Sequence, residues 1–174
     1  MNQHFENVDM EVPCFNCAVP GCANGLDSAV ADVRPSTFIP GENGLFATRD
    51  VRAGTFVASF GSMKEVSKGA RGRLGYSIPC RQVGSSHTRC LAPVKGYRNN
   101  GPHKAHACNH TCKYDAVNAE YKVVWEDGQK PEVYVKTSRD VLSGEEFFVD
   151  YGPDFALGAC HCHIHGGHQV SAGL

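Results

Sequence analysis

The chain reads as a mostly β fold with short helices, and three features of the sequence lead there. The strongest is a pair of runs, Asn118 to Trp125 and Glu132 to Lys136, that alternate or stay apolar on either side of Asp127-Gly128. That dipeptide favours a tight hairpin turn because glycine accepts positive φ. The other apolar runs are short and bounded by glycine or charge, which is the punctuation of strands. Finally, no segment carries the period of a long amphipathic helix, and neither an internal repeat nor the strand–helix alternation of a doubly wound nucleotide fold is present. At 174 residues the chain fits one domain with short extensions, large enough to bury a core.

Taken in order, residues 1–37 lack a period and carry Cys14, Cys17 and Cys22, so they read as an irregular extension. Gly44-Leu45-Phe46-Ala47 and Thr55 to Phe60 read as strands with Arg52-Ala53-Gly54 as the turn, which predicts a hairpin. The polar, basic stretch from Gly61 to Gly75 predicts a short helix around Met63 to Lys68 and then a loop. Tyr76-Ser77-Ile78 and Cys90-Leu91-Ala92 read as brief strands beside a further loop. The hairpin around Asp127-Gly128 follows, and then Val141-Leu142-Ser143-Gly144 turns into a strand at Phe147-Phe148-Val149.

The net charge of −1 conceals an asymmetry. Between Lys64 and Lys104 nine Lys and Arg stand against one acid, Glu65, whereas five acids and no Lys or Arg follow from Asp140 onward. The basic stretch suits nucleic acid or an acidic partner, or is simply a solvated face; the acidic one suits a basic peptide. Nine cysteines, an odd number, lie in close clusters like metal ligands and unlike an extracellular disulfide ladder, which favours a reducing compartment. No stretch reaches the roughly 20 apolar residues of a membrane span. Met1 to Pro13 is polar and acidic, without the apolar core of a secretion signal, so a soluble, non-secreted protein is expected.

Three ordered blocks carry a resemblance. Gly44-Leu45-Phe46-Ala47-Thr48-Arg49-Asp50, Asn109-His110-Thr111-Cys112 and Gly144 to Gly152 (Gly-Glu-Glu-Phe-Phe-Val-Asp-Tyr-Gly) resemble the blocks of SET-domain protein lysine methyltransferases, over roughly residues 38–155. The resemblance implies a fold of small curved sheets with a C-terminal pseudoknot, a SET domain at 38–155 and a post-SET-like tail at 156–174. It implies methyl transfer from S-adenosylmethionine to a lysine, by direct displacement onto a neutral amine. A free lysine, with a pKa near ~10.4, is almost wholly protonated at neutral pH, so an apolar aromatic channel that disfavours the charged form is part of that chemistry.

On this resemblance Tyr151 is the main catalytic residue and Tyr76 a second active-site tyrosine. Asn109 and His110 hold the cofactor, together with the glycine loop Asn43, Gly44, Leu45 and Phe46, where a missing Cβ admits the ligand to the backbone. Alone, Tyr151 and Tyr76 would read as strand tyrosines and His110 as a satisfied core histidine. The chain departs from the family pattern at Glu42, which replaces the first glycine of Gly-x-Gly, at His106-Ala107-Cys108 in place of Arg-Phe, and at Tyr114-Asp115 in place of Pro-Asn. Val149, two residues before Tyr151, is smaller than the usual aromatic and leaves room for multiple methylation.

Cys112, Cys160 and Cys162 match three cysteines that bind zinc in many SET enzymes; the final cysteine is missing, and His165 or His168 is placed to complete a closed tetrahedral site. Cys14, Cys17 and Cys22 have the spacing of part of another metal site. The expected partner is a basic peptide, foremost a histone tail, with nucleosomal DNA contacted through residues 64–104 and no membrane, which places the protein in the nucleus. Two other readings stand beside this one: a methyltransferase of non-histone protein, and a non-catalytic SET-like module that binds basic peptides or nucleic acid.

Overall fold

The computed structural model describes residues 26–66, 78–81, 88–93, 103–111, 113–124 and 131–151. Nine strands run through them: β1 (Ala31–Pro35), β2 (Asn43–Ala47), β3 (Phe56–Val66), β4 (Ile78–Arg81), β5 (Thr88–Pro93), β6 (Asn109–His110), β7 (Ala119–Val124), β8 (Glu132–Thr137) and β9 (Phe148–Val149). The described helices are single 3-10 turns at Ser28–Val30, Ala105–Ala107 and Tyr114–Ala116. β1 and β2 form a two-stranded sheet, and the rest form a seven-stranded sheet in the order β4-β5-β3-β8-β7-β9-β6. This is the mostly β architecture of small sheets that the sequence predicts.

β7 and β8 pair antiparallel in unbroken register, from Ala119 opposite Thr137 to Val124 opposite Glu132. The Asp127-Gly128 turn that joins them lies outside the described residues. β4 and β5 also pair as two brief strands, Ile78 opposite Leu91, although Tyr76 and Ser77 lie outside the described residues. β3 joins the two hairpins by pairing with β5 on one side and β8 on the other. Its register slips by a residue between Ser59 and Ser62, where Gly61 adopts φ 71°, a left-handed conformation that glycine tolerates at a bulge.

Three expectations are overturned. The first is the hairpin between 44–47 and 55–60: β2 pairs with β1, not with β3, and the chain between them turns a corner. The Arg52-Ala53-Gly54 turn exists, but long-range partners take its polar groups: Val51 exchanges both backbone bonds with Val141, and the Gly54 N–H reaches the Thr137 carbonyl at 2.8 Å. The second is the helix from Met63: residues 63–66 continue β3 opposite Pro93 to Cys90. Met63 is fully buried and its N–H bonds to the Pro131 carbonyl, so packing across the sheet overrides the helical preference of a Met-Lys-Glu run. Third, the segment read as an irregular extension contains β1, whose five residues pair with all of β2.

The apolar faces of both sheets close on one cluster that includes Leu45, Val57, Met63, Leu91, Val133, Val135, Phe147 and Val149. Phe56 lies in a smaller cluster, edge-on to Tyr134 at 5.8 Å and with the Lys136 ammonium 5.3 Å from its ring centre. Phe56 is 0% exposed and its cluster holds no residue of the three sequence blocks, so Phe56→Ala isolates the energetics of the core. Cavity formation of this kind costs about 3–5 kcal/mol, and a urea unfolding midpoint that did not move would contradict this packing.

Candidate active site

The segments richest in chemistry meet where β9 lies parallel to both β6 and β7, with Asn109 opposite Phe148, and His110 and Ala119 both opposite Val149. Parallel strands this short need support from outside the ladder. Asn118, 1% exposed, supplies it: its Nδ2 donates to the Glu146 carbonyl at 2.9 Å and its Oδ1 accepts the Phe148 N–H at 2.8 Å. Its backbone N–H adds a bond to the Phe148 carbonyl at 3.1 Å, and Thr111 N–H reaches the Val149 carbonyl at 3.2 Å. This carboxamide acts as one more rung of the sheet.

Tyr151 emerges from β9 directly onto β6. Its N–H donates to His110 Nδ1 at 3.0 Å and its hydroxyl donates to the Cys108 carbonyl at 2.7 Å, so the residue is held at both ends. With Nδ1 accepting, a lone ring proton of His110 belongs on Nε2. The Tyr151 ring lies 5.2 Å from that of His110 and stacks on Tyr121 at 5.9 Å. Tyr121 sends its own hydroxyl to the same Cys108 carbonyl at 3.3 Å and stands edge-on to Phe60 at 5.5 Å. The phenolic hydrogen of Tyr151 is thereby committed to a backbone acceptor, and the oxygen's own hydrogen-bonding capacity is that of an acceptor.

Asn109 sits one residue before His110, and its Nδ2 donates to the Asn43 carbonyl at 3.0 Å and to Glu146 Oε1 at 2.7 Å. Glu146, 6% exposed, also receives the Ser36 hydroxyl, which lies 2.9 and 3.0 Å from its two oxygens. Gly44 stands against this carboxylate so closely that a Cβ would fall 2.2 Å from Oε1, which is the reason this position carries glycine. The glycine loop therefore reaches the site through backbone: the Leu45 side chain is buried in the core and its carbonyl accepts the Phe147 N–H, while Phe46 is 4% exposed beneath the Arg34 guanidinium.

The SET-domain family model matches residues 42–152, most of this arrangement included. The chain belongs to the SET-domain family. Lysine methylation is the usual role of the family. No curated protein matches the chain.

Of the sequence-predicted site residues, this SET domain brings together Asn43, Gly44, Asn109, His110 and Tyr151, and uses Leu45 and Phe46 as packing. Tyr76, Cys112, Cys160, Cys162, His165 and the N-terminal cysteines lie outside the described residues. Among the described residues no group of three or more metal-binding side chains occurs, and no helix is long and apolar enough to cross a membrane. Sequence reasoning missed Glu146, Asn118, Tyr121 and Ser36. Glu146 is visible inside the third block but reads there only as one of five acids that suit a basic peptide, and Ser36 falls within residues 1–37, which read as an extension.

The charge asymmetry also looks different in three dimensions. Asp140 accepts the Ala53 N–H, Glu145 accepts the Leu142 N–H and pairs with Arg139, and Glu146 is buried, so three of the five acids are structural. Asp150 is exposed next to Tyr151, 3.8 Å from His110 Nδ1. On the basic side Lys104 is buried, not displayed: its ammonium donates to the Ser28 and Ala31 carbonyls. Burial lowers its pKa, with Asp32 partly opposing.

Burial also pushes the Cys108 thiol well up, with the Glu146 carboxylate adding to the effect, so it is no nucleophile at neutral pH and instead donates to the Phe147 carbonyl. His106, in the turn leading into β6, has its pKa lowered from 6.5 by burial. A lowered folded-state value means the unfolded chain binds that proton first, so this contribution to stability is present above about pH 6.5 and is lost as pH falls through the folded pKa. Unfolding midpoints at pH 7.5 and 5.5 should therefore differ less in His106→Gln than in the parent; an equal difference would exclude His106 as a source of acid sensitivity.

Proposed function

We propose that this SET domain transfers methyl groups from S-adenosylmethionine to lysine side chains of a basic protein segment, foremost a histone tail. The observation that carries the reading is the meeting of Tyr151 with Asn109 and His110 at the β6–β9 crossing, with the Tyr151 hydroxyl anchored on the Cys108 carbonyl. S-adenosylmethionine, when bound, supplies an electrophilic methyl group on a sulfonium. The residues present suit such a ligand: Asn109 and His110 share the two-residue strand β6 and the Asn109 carboxamide stands against the Asn43 carbonyl of the glycine loop, whereas the Cβ-free side of Gly44 is filled by the Glu146 carboxylate.

Tyr151 then has one task at the reacting atoms. Its hydrogen is held by Cys108, so its oxygen can accept an N–H of the incoming amine and turn the nitrogen lone pair towards the methyl group. The Tyr121 face stacked on Tyr151 and the Phe60 ring behind it disfavour the ammonium form by excluding water, while Asp150 at the exposed side offers charge complementarity to a basic peptide. Rate arises from alignment and local electrostatics, without a covalent enzyme intermediate. Nuclear location and a DNA contact through the basic stretch 64–104 belong to the same proposal.

Incubation with isotopically labelled S-adenosylmethionine and core histones is expected to label a histone, with di- or trimethyl-lysine present by mass spectrometry because Val149 is compact. Tyr151→Phe keeps the ring stack but loses the oxygen, and should lower kcat by about 10²-fold or more, the range for removal of a positioned polar group from a reacting centre. Undiminished labelling in that variant would remove Tyr151 from the chemistry.

The zinc proposal rests on Cys112, Cys160 and Cys162 with His165 completing the set, and its function would be to order a Gly- and His-rich tail that has little apolar surface to bury. Elemental analysis of protein purified without chelator is expected to give at least one zinc per chain, and Cys160→Ser should lower that content. Zinc-free, folded protein would dismiss this site.

A further inference from the structure

The carboxylate of Glu146 is the one buried acid of this SET domain among the described residues, and no described cation pairs with it. Its stabilisation comes from neutral donors. The Ser36 hydroxyl gives its hydrogen to the carboxylate while its oxygen accepts the N–H groups of Phe38 and Ile39, each at 3.1 Å, so Ser36 is fixed by its own turn. The remaining donor is Asn109 Nδ2.

That arrangement dictates how the Asn109 amide lies. Its two neighbours, the Asn43 carbonyl and the Glu146 carboxylate, only accept hydrogen bonds, so nitrogen must face both of them. Both hydrogens of Nδ2 are then used. Oδ1 is left as the group's outward function, and no described residue donates to it. Reversing the amide would set oxygen against two acceptors and leave the buried carboxylate short of a donor, which is costly for a charged group.

We infer that Glu146, tethered by Ser36, is a positioning residue that locks the Asn109 carboxamide oxygen-outward, so that the ligand group recognised there is a hydrogen-bond donor of the amine class. The inference rests on the cofactor reading above, in which Asn109 faces the ligand. S-adenosylmethionine carries two such donors, the ammonium of its amino-acid end and the exocyclic amine of its base, and both match an acceptor-only side chain. Glu146 touches neither; it acts through Asn109. Ser36 makes the same lock depend on a residue that precedes the matched family span of 42–152.

The test uses the full chain and three probes in calorimetry: S-adenosylhomocysteine, its desamino analogue and its inosine analogue, which lacks the exocyclic amine. The parent should bind one analogue about 10-fold or more worse than S-adenosylhomocysteine, as expected for one lost hydrogen bond in a polar site; which analogue suffers tells which donor is read. That discrimination should vanish in Asn109→Ala and shrink several-fold in Glu146→Ala. Ser36→Ala removes only a surface-segment hydroxyl and should shrink it likewise, so the result survives if Glu146→Ala fails to fold.

A second readout needs no ligand. The two Asn109 side-chain amide hydrogens should exchange slowly with solvent in nuclear magnetic resonance spectra of the parent and rapidly in Ser36→Ala. Full discrimination retained in both variants, a parent indifferent to both analogues, or fast exchange in the parent would each overturn the inference. A parent that binds none of the three probes would sink the cofactor reading and with it the donor recognition, while the exchange measurement would still decide whether the lock exists.

Discussion

Two residues of parallel pairing hold this molecule's chemistry together. β6 and β9 are each two residues long, they lie far apart along the chain, and their ladder alone is too short to be stable in water. What secures them is that each end of the crossing is tied by a side chain acting as backbone: Asn118 completes the rung beyond β9 and the Tyr151 phenol completes the turn before β6. The core cluster then presses on both through Phe147, Val149 and Cys108. A parallel crossing between distant segments costs loop entropy that its few ladder contacts do not offset by themselves.

The same economy governs the polar groups. The side chains that shape the site are each held on their inner side: the Tyr151 hydrogen points to Cys108, the His110 Nδ1 lone pair to the Tyr151 N–H, and the Asn109 nitrogen to Asn43 and Glu146. Of the three, Asn109 is left with its carboxamide oxygen outward. A carboxamide with its hydrogens turned inward is preorganised for a ligand group that brings hydrogens, such as an amine, and it needs no reorientation on binding.

The meeting of the three blocks was more legible in the sequence than the strand pairing. Asn109, His110, Gly44 and Tyr151 were readable because their residue types sit inside ordered blocks, and the β7–β8 hairpin because alternation and an Asp-Gly turn agree locally. The β2–β3 hairpin failed since nothing in 44–60 announces that Val51 has its partner at Val141 or Gly54 at Thr137; such pairings are properties of the assembled sheet. Glu146 failed for a related reason. A carboxylate's burial depends on donors brought from Ser36 and Asn109, which stand 110 and 37 positions away, and local composition records only its charge.

β1 and Ser36 bear on where this domain begins. The family span opens at residue 42, yet the strand that covers β2 runs from Ala31 to Pro35 and the hydroxyl that steadies the buried acid follows at once. A fragment cut at the family boundary would bare the edge of β2 that pairs with β1, along its five residues from Asn43 to Ala47. The working frontier of the SET domain is thus drawn by hydrogen bonds some ten positions upstream of the recognisable signature, and any expression of the domain in isolation has to respect it.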